Sequence, residues 1–319
     1  MHDTRPGQRP LLTMFAVVVA GLLLAAHAKA LSQEPAKDPA HYRTSVVILG
    51  AGTPKADPER SGPAIAVVVG ERSFIFDAGP GIVRRAQAAA DRGNPALAMN
   101  RLDTLFITHL HSDHTLGLPD FIFSPWVLGR ERNPRIYGPP GTARMVDHIT
   151  AAWSEDIAMR RSGLQAAKAL GFAAEVTEIA PGLVFEEDGV RIEAILARHG
   201  KWVAAFSYRV TTPDKIVVIS GDTGFSPELA EFAKSADILL HEVFSSSTVD
   251  RSRNDADYHR SFHTSTEEVA EIARRAQPKL LVLYHQLFWG ASDAELIQQV
   301  RSAGYDGAIV SARDLDVYS

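Results

Sequence analysis

Short apolar runs recur along the chain, and most of them stop at a glycine, an aspartate or a histidine. SVVILG (45–50), AIAVVVG (64–70), SFIFDAG (73–79), LDTLFITH (102–109), VRIEAILARHG (190–200), KIVVISGDTG (215–224), DILLHEVF (237–244) and LLVLYH (280–285) have the length and β-branched content of buried strands. RIYGPPG (135–141), AFSYRVT (205–211) and AIVSARD (308–314) add shorter ones, and Gly70 with Glu71 turns a hairpin. Helical spacing fills the gaps at IVRRAQAAADR (82–92), LPDFIFSPWVL (118–128), ARMVDHITAAW (143–153), SPELAEFAKSA (226–236) and STEEVAEIARRAQ (265–277). Ser226 is placed to cap one helix, with Glu228 in its first turn, and Ser265 with Glu268 forms a capping box. Strands crowd the first part of the chain and alternate with helices in the second. That order fits a two-sheet core with helices outside, although periodicity alone does not fix the topology.

The N-terminus has a different pattern. Arg5 and Arg9 precede an apolar run from Leu11 to Ala26, and small residues follow, AHA (26–28) and AKA (28–30). A charged start, a short apolar stretch and a small-residue exit describe a secretory signal peptide over 1–30, cleaved near Ala28 or Ala30. The alternative is an uncleaved anchor, but the run is short for a bilayer span of about 20 residues. Residues 31–41 (LSQEPAKDPAH) read as a linker, and 42–319 as one folded domain. The expected location is periplasmic or secreted, with no stable membrane insertion after cleavage.

Composition narrows the chemistry. Losing 1–30 removes Arg5, Arg9 and Lys29 against Asp3, which takes the formal net charge from −5 to about −7. An acidic surface is a poor general partner for nucleic acid, so none is expected. The chain has no cysteine, so it has no disulfide and no thiolate ligand; a transition metal must be held by histidine and carboxylate.

Residues 108–120, THLHSDHTLGLPD, supply such groups. His109 and His111 are two apart at a strand end, where i and i+2 point the same way, so both can reach one ion. Asp113 and His114 are better placed for a second. A zinc ion takes about four ligands, and further candidates stand where other apolar runs end: Asp77, His199, Asp222 and His285.

HLHSDH (109–114), with FDAG upstream and His199, GDT (221–223) and His285 downstream, resembles the metallo-β-lactamase superfamily over about 45–315. The resemblance implies a four-layer αββα sandwich with two divalent metal ions along one edge. It places His109, His111 and His199 on the first ion, Asp113, His114 and His285 on the second, and Asp222 between them. Asp113 is read as catalytic as well as a ligand. Asp77 resembles the supporting aspartate that orients a ligand histidine. Zinc is the default, and manganese or iron also suits these donors. Zinc lowers the pKa of its water from about 15.7 to roughly 7, which makes hydroxide available at neutral pH.

The second half is similar to ribonuclease Z. LLHEVF (239–244) and FHTSTEEVAEIA (262–273) match that family's two boxes, and this implies that Glu242 and His263 relay a proton to the leaving group. Two departures stand against tRNA processing: the export signal, and the 23 positions from His199 to Asp222, which leave no room for the family's basic arm. What remains resembles the exported arylsulfatase-like branch, on GAGTPKADPERSGPA (50–64), FDAGPG (76–81), HTLGLPDFIFSPWVLGR (114–130) and YHQLFWG (284–290). The expected substrate is a small anionic sulfate or phosphate aryl ester. A lactonase, a β-lactamase-type enzyme or a ribonuclease Z-like phosphodiesterase is the alternative. Trp126, Phe288 and Trp289 are candidates to wall an aryl pocket, and Arg60 to meet the anion. The oligomeric state is open, a dimer included.

Overall fold

The computed structural model describes residues 43–163, 170–248 and 255–319. The signal-peptide and linker readings therefore lie outside the described residues. The first half runs β1 (Thr44–Gly50), β2 (Ala64–Val69), β3 (Arg72–Phe76), α1 (Ile82–Asp91), β4 (Thr104–Phe106), α2 (Ser112–Thr115), α3 (Leu118–Val127), β5 (Arg135–Gly138), α4 (Thr142–Ala152), α5 (Ser154–Ser162) and β6 (Glu175–Glu178). The second runs β7 (Gly182–Glu187), β8 (Val190–Leu196), β9 (Phe206–Thr211), β10 (Ile216–Ile219), α6 (Pro227–Phe232), β11 (Ile238–Phe244), α7 (Asp255–Phe262), α8 (Thr266–Ala276), β12 (Leu280–Leu287), α9 (Asp293–Ser302), β13 (Ile309–Ser311) and β14 (Val317–Tyr318).

The strands form two sheets, ordered β14-β1-β2-β3-β4-β5-β6 and β13-β12-β11-β10-β9-β8-β7. Each sheet starts as an antiparallel meander and continues as parallel strands joined through helices, β3 to β6 in one and β10 to β13 in the other. In each parallel part the carboxyl ends of neighbouring strands lie together, where side chains from distant sequence can converge.

Alternation along the strands explains the layering. Val46, Ile48, Ile65, Val67, Phe74 and Phe76 face the gap between the sheets, where they meet Phe206, Tyr208, Val217, Ile219, Leu240 and Val282. The intervening Val47, Leu49, Ala66 and Ile75 pack outward on α1 and α3 through Ile82, Ala86, Leu118 and Phe121. On the second sheet Val218, Leu239, Leu281 and Leu283 pack outward on α6, α8 and α9. Strands buried on both faces read as continuous apolar runs, which is why they were conspicuous in the sequence. The result is the expected four-layer αββα sandwich.

The expected caps form. Ser226 accepts the N–H of Leu229, and Ser265 and Glu268 bond reciprocally at the start of α8. The edge strands β6 and β7 gave no signal because they are short and mostly exposed. One close approach matters for the site: Gly117 N–H donates to Ala78 O, and Ala78 N–H donates to His114 O, both at 2.8 Å. A Cβ on Gly117 would collide with the carbonyls of Gly79 and Ala78. Glycine is what lets the histidine-bearing turn dock on the FDAG loop.

Candidate metal centre

Both sheets deliver side chains to one edge. Asp77 directly follows β3, and His109 follows β4 by two intervening residues; these strands are parallel neighbours. Extended backbone at His111 (φ −62°, ψ 150°) leads into α2, which carries Asp113 and His114. From the second sheet come His199 after β8, Asp222 after β10, Glu242 within β11 and His285 within β12. His285 sits at an irregularity in the ladder: Glu242 pairs with Tyr284 and Val243 with Gln286, so His285 has no opposite residue. Its φ is 46°. An extra residue of this kind re-aims a side chain, and here it turns the imidazole into the cleft.

Two groups of donors result. His109 Nε2 and His199 Nε2 each lie 3.0 Å from His111 Nδ1. Asp113 Oδ2 lies 3.5 Å from His114 Nε2 and 3.3 Å from His285 Nε2. Asp222 Oδ2 stands between the groups, 3.9 Å from His109 Nε2, 3.4 Å from His114 Nε2 and 3.6 Å from His285 Nε2. Donors about 2.0–2.1 Å from a tetrahedral ion are about 3.3–3.4 Å from one another, close to these spacings. His114 Nε2 and Asp222 Oδ1 are buried with no hydrogen-bond partner among the described residues, a debt that a bound cation would settle. Histidine and carboxylate donors without thiolate suit a divalent transition metal.

The outer nitrogens are held as well. Thr108 Oγ1 donates to Asp77 Oδ2 at 2.9 Å and lies 2.9 Å from His109 Nδ1. That leaves it to accept the ring N–H and points the His109 Nε2 lone pair inward. Asp77 Oδ2 is 2.8 Å from His114 Nδ1, and the Phe262 carbonyl is 2.7 Å from His199 Nδ1. Such partners fix the ring tautomers.

Burial depresses the pKa of His109 well below its usual value, lowers that of His111, and takes His199 to about 4, so these rings are neutral and able to coordinate. Burial opposes the charged form of His114 too, but Asp222 and Asp77 hold its pKa well above 6.5. Burial would raise the Asp222 carboxyl, yet His285 and His114 keep it well below the ordinary carboxylate range.

Beside this cluster, His263 Nδ1 lies 3.3 Å from Glu242 Oε2 and 3.8 Å from Asp222 Oδ2. Glu242 is fully buried, and its other oxygen accepts the Thr264 N–H at 2.6 Å. Burial works against an imidazolium here, but Glu242 outweighs it and raises His263 to about 8.

Every residue singled out for this edge from sequence is thus brought to it: Asp77, His109, His111, Asp113, His114, His199, Asp222, Glu242, His263 and His285. The surrounding expectations fare differently. Arg60 is not free to meet an anion; its guanidinium bonds Asp293, Gln286 Oε1 and the Ala312 carbonyl. Trp126 is 2% exposed and packs in the core beside Phe172, so it walls no pocket. Phe288 lies under Arg60, and Trp289 packs on Phe244 and His259. The aromatic side chains at the mouth are Trp202, Tyr258 and Phe262. The first and last drew no attention in the sequence because they stand in polar loop and helix-end segments. Thr108 was also missed; its position before His109 was the available signal.

Comparison with known proteins agrees with this geometry. The family model described as the β-lactamase superfamily domain matches residues 72–286. Proteins named Ribonuclease Z are similar: that of Mycobacterium sp. (strain KMS) is 35% identical over 76% of this chain and 84% of its own length. That of Mycobacterium bovis (strain BCG / Pasteur 1173P2) is 31% identical over 85% and 96%. Among solved structures, the metallo-β-lactamase fold protein YhfI from Bacillus subtilis superposes with a TM-score of 0.68 at 17% identity, covering 87% of this chain and 100% of that one. Human tRNase Z, short form, does so at 0.63 with 23% identity, covering 86% and 98%; these two likenesses speak for the fold. The chain belongs to the metallo-β-lactamase-fold superfamily of metal-dependent hydrolases, close to ribonuclease Z.

Proposed function

We propose that the protein hydrolyses phosphodiesters with two divalent ions, by default zinc. His109, His111 and His199 hold one, Asp113, His114 and His285 the other, and Asp222 stands between. When bound, the ions supply Lewis acidity and lower the pKa of a water. Asp113, whose side chain is 9% exposed and lines a cleft beside Ser112 and Lys55, takes the proton from the attacking water. The water oxygen bonds to phosphorus, the bond to the leaving oxygen breaks, and His263 gives that oxygen its proton. Glu242 keeps the imidazole oriented and protonated.

The observation that carries this reading is His263 set between Glu242 and Asp222, a proton donor on the rim of the donor cluster. An alkoxide is a poor leaving group, and protonating it contributes typically 10²–10⁴-fold. The relatives' name supports phosphorus as the target, since RNA is a phosphodiester. None of the comparisons supports a sulfate ester, so the phosphodiester replaces the aryl sulfate as the leading reading. The same name argues against the expectation that no nucleic acid is a partner. The test sets four substrates side by side: bis-p-nitrophenyl phosphate, p-nitrophenyl sulfate, nitrocefin and an RNA stem with a 3′ extension. Hydrolysis of the phosphate diester, the RNA or both is expected; turnover of nitrocefin or the sulfate alone refutes the reading.

Export over residues 1–30 is a separate part of the proposal. Expression with the native N-terminus and sequencing of the mature chain tests it: a start near Leu31 in the periplasm or medium is expected, and a cytoplasmic chain beginning at residue 1 or 2 refutes it.

A further inference from the structure

On the His111 side of the centre lies a groove of about 970 Å³. Its walls are Trp202 and Val203 from the loop after His199, Tyr258 and Phe262 from α7, and Pro139 with Pro140 opposite. Among the described residues, Lys201 is the one Lys, Arg, Asp or Glu side chain lining it. The cleft on the Asp113 side differs, lined by Lys55, Asp57 and Arg60.

The groove is continuous with the site. The Trp202 ring is 5.1 Å from that of His111, with Nε1 2.8 Å from His111 Nε2. Phe262 is 5.1 Å from His199 and directly precedes His263 in the chain. Tyr258 packs 4.9 Å from Phe262. Gly200, at φ 55°, passes so close to the Phe262 ring that a Cβ would overlap it, and its N–H donates to Ser261 O at 2.7 Å. The loop is therefore fitted to the helix end, and the segment that presents His263 also presents the groove wall. Yet Val203 is 92%, Tyr258 60% and Trp202 36% exposed. Apolar surface left uncovered beside a polar centre marks a place for a ligand.

We infer that this groove receives an aromatic ring of the ester whose anionic group lies on the metal centre, a phenol-type ring or a nucleobase. The inference rests on the proposed function for the identity of the ester. Aromatic walls suit either ring, because base–aromatic stacking does not depend on which π-face is offered.

The test is binding, so that it stands apart from turnover. Zinc-loaded full-length protein is titrated calorimetrically with two ligand pairs that differ by a ring: phenylphosphonate against methylphosphonate, and uridine 5′-phosphate against ribose 5-phosphate. The ring-bearing member of at least one pair binds about tenfold more tightly. Trp202→Ala and Tyr258→Ala each cut that ratio to about threefold or less, whereas Trp153→Ala, a stacked surface tryptophan on α5's entry, leaves it unchanged. Tyr258→Ala guards against an indirect effect, since Trp202 also touches His111. Preference in the first pair alone identifies a phenol-type ring, and preference in the second a base. Equal affinities in both pairs, or a preference that survives both groove substitutions, overturns the inference. Failure to cleave any diester sinks the proposed function but leaves these affinities to be read.

Discussion

His263 Nδ1 stands 3.3 Å from Glu242 Oε2, and the carboxylate is pinned from behind by the Thr264 N–H. Neither Glu242 Oε2 nor His263 Nδ1 has a hydrogen-bond partner elsewhere among the described residues. The pair is thus arranged to hold one proton beside Asp222. Replacing His263 with alanine should lower kcat on the RNA substrate, whose leaving group is an alkoxide, about 10²–10⁴-fold while metal content stays at the wild-type level. A parallel loss of metal would show that His263 is structural instead.

The same pair sets a pH dependence. Burial would lower the pKa of His263, but Glu242 raises it to about 8. The donor is the protonated form, so kcat is full below that value and falls as pH rises through about 8. In Glu242→Gln the main group that opposes burial is lost and Asp222 alone of the two carboxylates remains, so the alkaline limb should move to lower pH. A kcat profile between about pH 6 and 10 reads both; an unmoved limb in the variant contradicts the assignment.

Asp77 acts on two histidines at once, through Nδ1 of His114 and through Thr108 to His109. Asp77→Ala should weaken metal affinity about 10–100-fold, measured by competition with a chromophoric chelator. Affinity equal to wild type would mean that the rings are oriented by packing alone.

Much of this site was legible because its residues recur in one context. His109, His199, Asp222 and Asp77 each follow an apolar strand run, and HLHSDH has the two-residue spacing of extended backbone. His285 was read in the same way, at the end of LLVLYH, although it lies inside β12 and the ladder irregularity is what turns it inward. The sandwich was legible where strands are buried on both faces, as at β2 and β11. It was not legible at β6, β7 and β14, whose pairing depends on a neighbour rather than on their own apolar content. The groove aromatics were unreadable for a related reason. Trp202 and Phe262 are 60 positions apart and line one groove because Gly200 lets the loop pass close to the Phe262 ring.

Arg130 gives the stability test. It is 1% exposed, and its guanidinium donates to the carbonyls of Leu102, Phe121, Ile122 and Gly171, tying α3 to the loops around it. Arg130→Ala strands these acceptors in the interior, at a cost of about 3–5 kcal/mol. Urea unfolding should show the loss as a lowered midpoint; a change under about 0.5 kcal/mol would mean that water replaces the guanidinium.

The most direct test of the centre is a zinc titration of chelated protein, following hydrolysis of bis-p-nitrophenyl phosphate. Activity should be absent without metal, rise as zinc is added and level off at two equivalents per chain. In Asp222→Ala it should stay near the uncatalysed rate across the same range. Wild-type activity that saturates at one equivalent, or that persists after chelation, would contradict the paired site built around Asp222.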